Sequence, residues 1–179
     1  MSGTGGLGFF CVAPAALLIY IWAMSTETID KPLTYEEERG KPTPSLNHGI
    51  VQMNLGAEFM RNREFRVVSE LTLDIQGKSY TPDLSVYRRA PVNWRRDVPR
   101  SPEPPLLVVE IFSPQQGTQE VMDKVEAYFA FGVKSCWVVS PPMHSIQILT
   151  ADNQEIVLHS GTATDPATGL TADLAAVFS

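Results

Sequence analysis

Three residues could do chemistry together. Asp83 follows Pro82 at the head of an apolar stretch, Leu84-Ser85-Val86-Tyr87; Glu110 lies inside a second one, Leu106-Leu107-Val108-Val109-Glu110-Ile111-Phe112; and Lys124 falls on the helical segment after it. Glu110 is the most informative. The run around it suits a strand buried on both faces. A glutamate is almost never fully buried without a partner, and losing its water uncompensated costs on the order of several kcal/mol. A cation, a hydrogen-bond donor or a metal could serve. If the two strands pair antiparallel, the start of one abuts the end of the other. Both carboxylates then reach one rim of the sheet, the oxygen-rich arrangement that a hard divalent cation needs.

Several elements must position these groups. Lys41-Pro42-Thr43-Pro44 excludes a regular helix there. Ser45 is a good N-cap for a helix over 46 to about 62, with Leu46, Ile50, Met53, Ala57 and Met60 at helical spacing and Val51, Leu55 and Phe59 beside them. His48 in its first turn is either an accessory to the site or a structural histidine. Phe65 to Val68 and Glu70 to Ile75 read as strands, with a turn at Gly77-Lys78. Glu70 is a third acid for the site or the exposed end of a strand. The loop 88–105 holds five prolines and five arginines, so no regular element is expected in it.

After the central strand, Thr118 is the expected cap of a helix whose apolar face is Val121, Met122, Val125, Tyr128 and Phe129, with Gly132 as its stop. Lys124 lies on the flank of that face. It can run along the apolar surface and put its ammonium at the sheet rim, or pair with Glu120 on the surface. The order strand 106–112, helix 118–132, strand 135–140 predicts a parallel crossover. A hairpin follows, with Ile146 and Ile148 answering Ile156 and Leu158 across Asp152-Asn153, and Leu170 to Phe178 is an apolar tail expected to pack on the core.

Composition bounds the rest. With 179 residues, 44% hydrophobic and 19% charged, the chain can build one domain with a real core. Its two cysteines form no disulfide framework and no zinc spacing, and Cys136 reads as a small core hydrophobe in a reducing, cytoplasmic setting. The net charge of -6 argues against a strong nonspecific grip on nucleic acid. The balance is uneven, however: residues 61–100 carry +4 and the remainder -10. Arg88, Arg89, Arg95 and Arg96 are therefore candidates for a phosphate-contacting rim beside the carboxylates, against the alternative of ordinary surface arginines. Gly6 to Met24 is an uncharged apolar run. It is a membrane anchor, a poor signal peptide, or an upstream extension before a functional start at Met24; the last is the preferred expectation. The expected organisation is this extension at 1–24 and a single domain at 25–179.

The ordered set Gly40-Lys41-Pro42-Thr43-Pro44-Ser45, His48, Pro82-Asp83, Val109-Glu110-Ile111-Phe112-Ser113-Pro114, Lys124 with Tyr128, and Gly132-Val133-Lys134-Ser135-Cys136-Trp137 resembles the Uma-type (Uma-two) restriction-endonuclease-like proteins of the PD-(D/E)XK nuclease superfamily. The likeness runs from about Tyr35 to the end and leaves the N-terminal apolar run outside. It implies an α/β fold with a mixed sheet of α-β-β-β-α-β order flanked by helices, followed by the C-terminal hairpin. It also implies an endonuclease cutting DNA with Mg²⁺ or Mn²⁺, in which Asp83 and Glu110 hold the metal. The superfamily's usual lysine, two residues after the second acid, is replaced by Phe112; the resemblance implies that Lys124 supplies it. DNA is the expected partner, with a homodimer as a further option and a membrane only if residues 6–24 are an anchor. The competing expectation is a catalytically idle nuclease fold that binds DNA or a protein, a reading kept open by the acidic net charge and the displaced lysine.

Overall fold

The apolar run containing Glu110 becomes one of the two central strands of a six-stranded sheet. In the computed structural model, which describes residues 44–113 and 116–179, the strand β6 (Leu107–Ile111) is buried at all five positions. The elements before it are helix α1 (Leu46–Met60) and strands β1 (Phe65–Ser69), β2 (Thr72–Ile75), β3 (Lys78–Tyr80), β4 (Leu84–Arg88) and β5 (Arg100–Ser101). After it come helix α2 (Thr118–Phe131), strands β7 (Ser135–Ser140), β8 (Ser145–Thr150), β9 (Glu155–Leu158), β10 (Thr162–Thr164) and β11 (Thr171–Asp173), and the short helix α3 (Leu174–Val177). The apolar run 6–24, the proposed start at Met24, the lead-in as far as Thr43, and Pro114 all lie outside the described residues. Among the described residues, no helix is long and apolar enough to cross a membrane.

The large sheet has the order β1-β4-β6-β7-β8-β9. Strand β4 pairs antiparallel with β6 in the register Leu84↔Val109, and β6 pairs parallel with β7 through the α2 crossover. Read along that sheet and its helices, α1-β1-β4-β6-α2-β7 is the expected α-β-β-β-α-β order. The hairpin also forms in the expected register, with Ile146 opposite Leu158 and Ile148 opposite Ile156. Alternation divides the side chains of β6. Leu107, Val109 and Ile111 join Val51, Leu55 and Phe59 of α1 and the C-terminal residues Leu170, Leu174 and Val177. Val108 joins Val121, Val125 and Tyr128 of α2, with Leu73 and Ile75 of the small sheet β3-β2-β5.

Three local expectations are corrected, and the buried face of α1, which the sequence left open, is fixed. The α1 stripe Leu46, Ile50, Met53, Ala57 and Met60 faces solvent, and the core takes Val51, Leu55 and Phe59 instead. Both stripes have helical spacing, so periodicity alone did not choose between them. Glu70 leaves the strand: its φ of 52° bends the chain between β1 and β2. The Pro/Arg loop contains a two-residue strand, β5, paired in parallel with Thr72 and Leu73. The N-cap of α2 is Gly117, without a side-chain bond, and Thr118 is already helical. Ser45 does cap α1, its hydroxyl accepting from the His48 N–H at 3.4 Å. Gly132 ends α2 at φ 116°, a conformation open to glycine but strained for other residues.

Candidate active site

Asp83 continues the β4–β6 ladder with its side chain. Its N–H donates to the Val109 carbonyl at 3.0 Å, and its Oδ2 accepts the next ladder bond, from Ile111 N–H, at 2.7 Å. The carboxylate is thereby fixed by the backbone of the strand that carries Glu110. Its Oδ1 lies 3.2 Å from His48 Nε2 at the start of α1. Its main-chain carbonyl accepts from Gln52 Nε2 at 2.9 Å and from the Glu70 N–H at 3.1 Å. Two further sequence candidates thus touch Asp83, His48 through its side chain and Glu70 through its backbone N–H.

Glu110 points to the α2 side. Its Oε1 accepts from the Tyr128 hydroxyl at 2.5 Å, and its Oε2 is 3.3 Å from Lys124 Nζ. Lys124 also stands 3.8 Å from Glu120 Oε1, so both expectations for it are realised at once. Lys124 and Tyr128 are one helical turn apart, which lets one face of α2 hold both Glu110 oxygens. Asp83 and Glu110 are only 2% and 3% exposed, so each carboxylate depends on these partners in place of water.

Tyr128 is the residue that sequence reasoning left as a core aromatic. Its position on the apolar face hid its hydroxyl; the usable signal was its i+4 relation to Lys124. Burial first, and the Glu110 charge second, push its phenol well above the usual value, so it stays a donor. Burial likewise pushes the nearby Cys136 thiol well up, with Glu110 adding to the shift and Lys124 opposing it. Cys136 is the small core residue expected.

The donor set fits a hard cation. Among the described residues, two buried side-chain polar atoms lack a hydrogen bond: His48 Nε2, whose contact with Asp83 is close but misaligned, and Ser85 Oγ. Ser85 sits two residues along β4 from Asp83, about 7 Å away on the same face. Buried polar atoms without bonds leave hydrogen-bonding capacity that a water or another polar group can take up. No group of three or more His, Cys, Asp or Glu side chains forms a ready metal cluster among the described residues. The chain would therefore offer Asp83 and Glu110, leaving the other positions to water or substrate, as Mg²⁺ commonly requires.

The arginines divide. Arg88 and Arg89 are not beside the carboxylates, because Asp83 precedes the first residue of β4 and Arg88 is its last, roughly 16 Å away at ~3.3 Å per residue. Arg88 pairs with Glu64 at 2.9 Å and covers the Phe65 ring, while Arg89 donates to the Arg63 and Phe65 carbonyls. Arg95 and Arg96 are exposed in the segment between β4 and β5, next to Trp94 at 91% exposure.

Comparison with known proteins adds a family. The family model "Uma2: Putative restriction endonuclease" matches residues 35–176. A crystal structure described as a putative nuclease belonging to DUF820, from Anabaena variabilis, has the same fold with a TM-score of 0.63. It is 21% identical, and the likeness covers 76% of this chain and 83% of that one. No curated protein matches the chain.

Proposed function

The chain belongs to the Uma2 family of putative restriction endonucleases, and from that nuclease-like starting point we propose that it hydrolyses DNA phosphodiester bonds as a Mg²⁺- or Mn²⁺-dependent endonuclease. The observation that carries this reading is the pair of buried acids, Asp83 and Glu110, brought to one rim by adjacent antiparallel strands with Lys124 at 3.3 Å. A phosphodiester resists attack because its anionic oxygens repel nucleophiles. A bound Mg²⁺ would neutralise that charge and make a coordinated water more acidic.

The chain's own residues do the rest. Ile111 N–H fixes Asp83 and the Tyr128 hydroxyl fixes Glu110, so the ion would displace only Lys124 from the second Glu110 oxygen. Lys124 puts an ammonium where it can orient the attacking water or take up the charge that builds on pentavalent phosphorus. His48 and Glu70 border the Asp83 side as accessories. Arg95 and Arg96 hold neighbouring phosphates; Arg88 and Arg89, tied to the fold, contribute less.

One observation favours the second reading, an idle nuclease fold that binds DNA or a protein. The Glu110 carboxylate already has a lysine and a tyrosine on its two oxygens, which is also how a structural ion pair is built. Calorimetric titration of Mg²⁺ and Mn²⁺ into the wild type and Asp83→Ala separates the two. We expect binding and metal-dependent DNA cleavage in the wild type and neither in the variant. Absence of wild-type binding, or binding that the substitution leaves unchanged, would count against the metal site.

A further inference from the structure

Helix α1 has two apolar stripes, and only one is used by the fold. The exposed one is Leu46, Ile50, Met53, Ala57 and Met60, with Leu46 at 79%, Met53 at 71%, Met60 at 48% and Ile50 at 41% exposure. Its spacing is 4-3-4-3, the repeat by which one helix packs along another. We propose that this stripe is the contact between two copies of this chain, a two-fold dimer in which α1 packs on α1 of the second copy.

Several observations select a second copy over other occupants. The stripe is self-complementary: Met53 is its middle member, so a two-fold axis through Met53 sets each apolar residue against another in either helix direction. From Leu46 to Ala57 the helix carries no Lys, Arg, Asp or Glu, so two copies meet without like-charge repulsion. Gly49 leaves open space beside the stripe, on a shallow, open surface lined by Pro44, Leu46, Ile50, Met53 and Asn54 that lets a facing helix approach. A membrane surface fits poorly, because an interfacial helix needs a basic polar face and the opposite face of α1 is in the core.

The area sets the strength. These exposures correspond to on the order of 900 Å² buried over both copies, below the ~1,200 Å² at which stable interfaces begin. The dimer is therefore a weak one that forms as concentration rises. Because His48 is on the same helix, the pairing joins two rim sites in one particle. The inference does not rest on the metal reading and is tested without metal.

Sedimentation equilibrium of the full chain should show the mass rising from one copy to two with concentration. Ile50→Glu with Met53→Glu should stay monomeric throughout. Both positions are exposed, so the melting midpoint of that variant at low concentration should match the wild type and certify its fold. As a second measurement, Met53→Cys in a Cys11→Ser chain should be captured as a symmetric dimer by a short thiol cross-linker, while Asp152→Cys in the same background should not. A wild type that remains monomeric, a double variant that still dimerises, or equal cross-linking at the two positions would each overturn the proposal.

Discussion

Two regions of this molecule bury carboxylates, and they do it in opposite ways. Asp165, just after β10, is fully buried and accepts five hydrogen bonds: from the Ser135 hydroxyl, Trp137 Nε1 at 2.9 Å, the Thr168 N–H at 2.7 Å, the Thr168 hydroxyl at 2.8 Å and the Ala167 N–H at 3.2 Å. All five donors are neutral. At the rim, Asp83 and Glu110 are held partly by groups that can carry or lose a proton: His48, Lys124 and Tyr128. A carboxylate saturated by fixed dipoles joins the β10–β11 turn to β7 and needs nothing else. A carboxylate beside an ammonium that has a second acid within reach can exchange that partner for another cation. The contrast separates structural burial from burial that can serve a site.

The largest effect should come from the structural acid. Asp165→Ala leaves the buried Trp137 indole without its acceptor, reduces the Ser135 hydroxyl to the Leu149 carbonyl, and frees the Ala167 and Thr168 N–H groups of the turn. A loss of about 3–5 kcal/mol is expected, with Asp165→Asn smaller because one oxygen remains. Urea unfolding gives the number. Any Mg²⁺-induced rise in melting temperature should survive in Asp165→Asn. A loss under ~1 kcal/mol in Asp165→Ala would erase the distinction between the two regions.

The two regions also differed in legibility. Glu110 stood out because one acid in an apolar strand is a local anomaly; that Asp83 joins it depended on an antiparallel pairing the sequence left as a condition and the fold supplies. Asp165 could not be read in advance. Its main partners Ser135 and Trp137 are 30 and 28 residues away, and serine and tryptophan do not announce themselves as ligands of an acid. The separate strands, the crossover and the hairpin were legible from period and turn chemistry, while the order of the large sheet was what the family resemblance implied. The buried face of α1 was not, because two apolar stripes share the helix. Nor was the bend at Glu70, where a left-handed φ breaks an alternating pattern without a glycine to mark it.

A smaller effect should follow at the rim. In Glu110→Gln the charge is lost but the Tyr128 hydroxyl keeps an acceptor. Lys124 keeps a second acid, Glu120, and its side chain is 19% exposed, so its ammonium is not stranded. The expected loss without metal is about 1–2 kcal/mol, well below the 3–5 of a fully buried unpaired charge. Melting curves with and without Mg²⁺ add the decisive readout: the metal should raise the wild-type midpoint by linkage and leave the variant unmoved. A loss as large as that of Asp165→Ala, together with no metal response in the wild type, would make Glu110 a second structural acid.

The smallest effect is a pH dependence that only the rim side should show. Cys136 and Tyr128 lie near Glu110, and burial raises both above their ordinary values of 9.0 and 10.0. In the unfolded chain these groups release their protons near the ordinary values, while the folded chain still holds them. Their contribution to stability is therefore complete below about pH 9 and declines as pH rises toward the folded values. The slope is at most ~1.4 kcal/mol per pH unit for each group. Tyr128→Phe removes one of the two and should flatten the decline above about pH 10 while leaving the region below about pH 9 with its slope unchanged. Tyr87, whose phenol is also raised by burial, is common to both proteins and cancels in the comparison. Asp165→Asn should run parallel to the wild type throughout, since neither phenol nor thiol is among the partners of Asp165. Urea midpoints measured across the alkaline range decide it. A Tyr128→Phe curve parallel to the wild type would mean that the phenol titrates alike in both states, and the tight Tyr128–Glu110 bond would then not govern the rim.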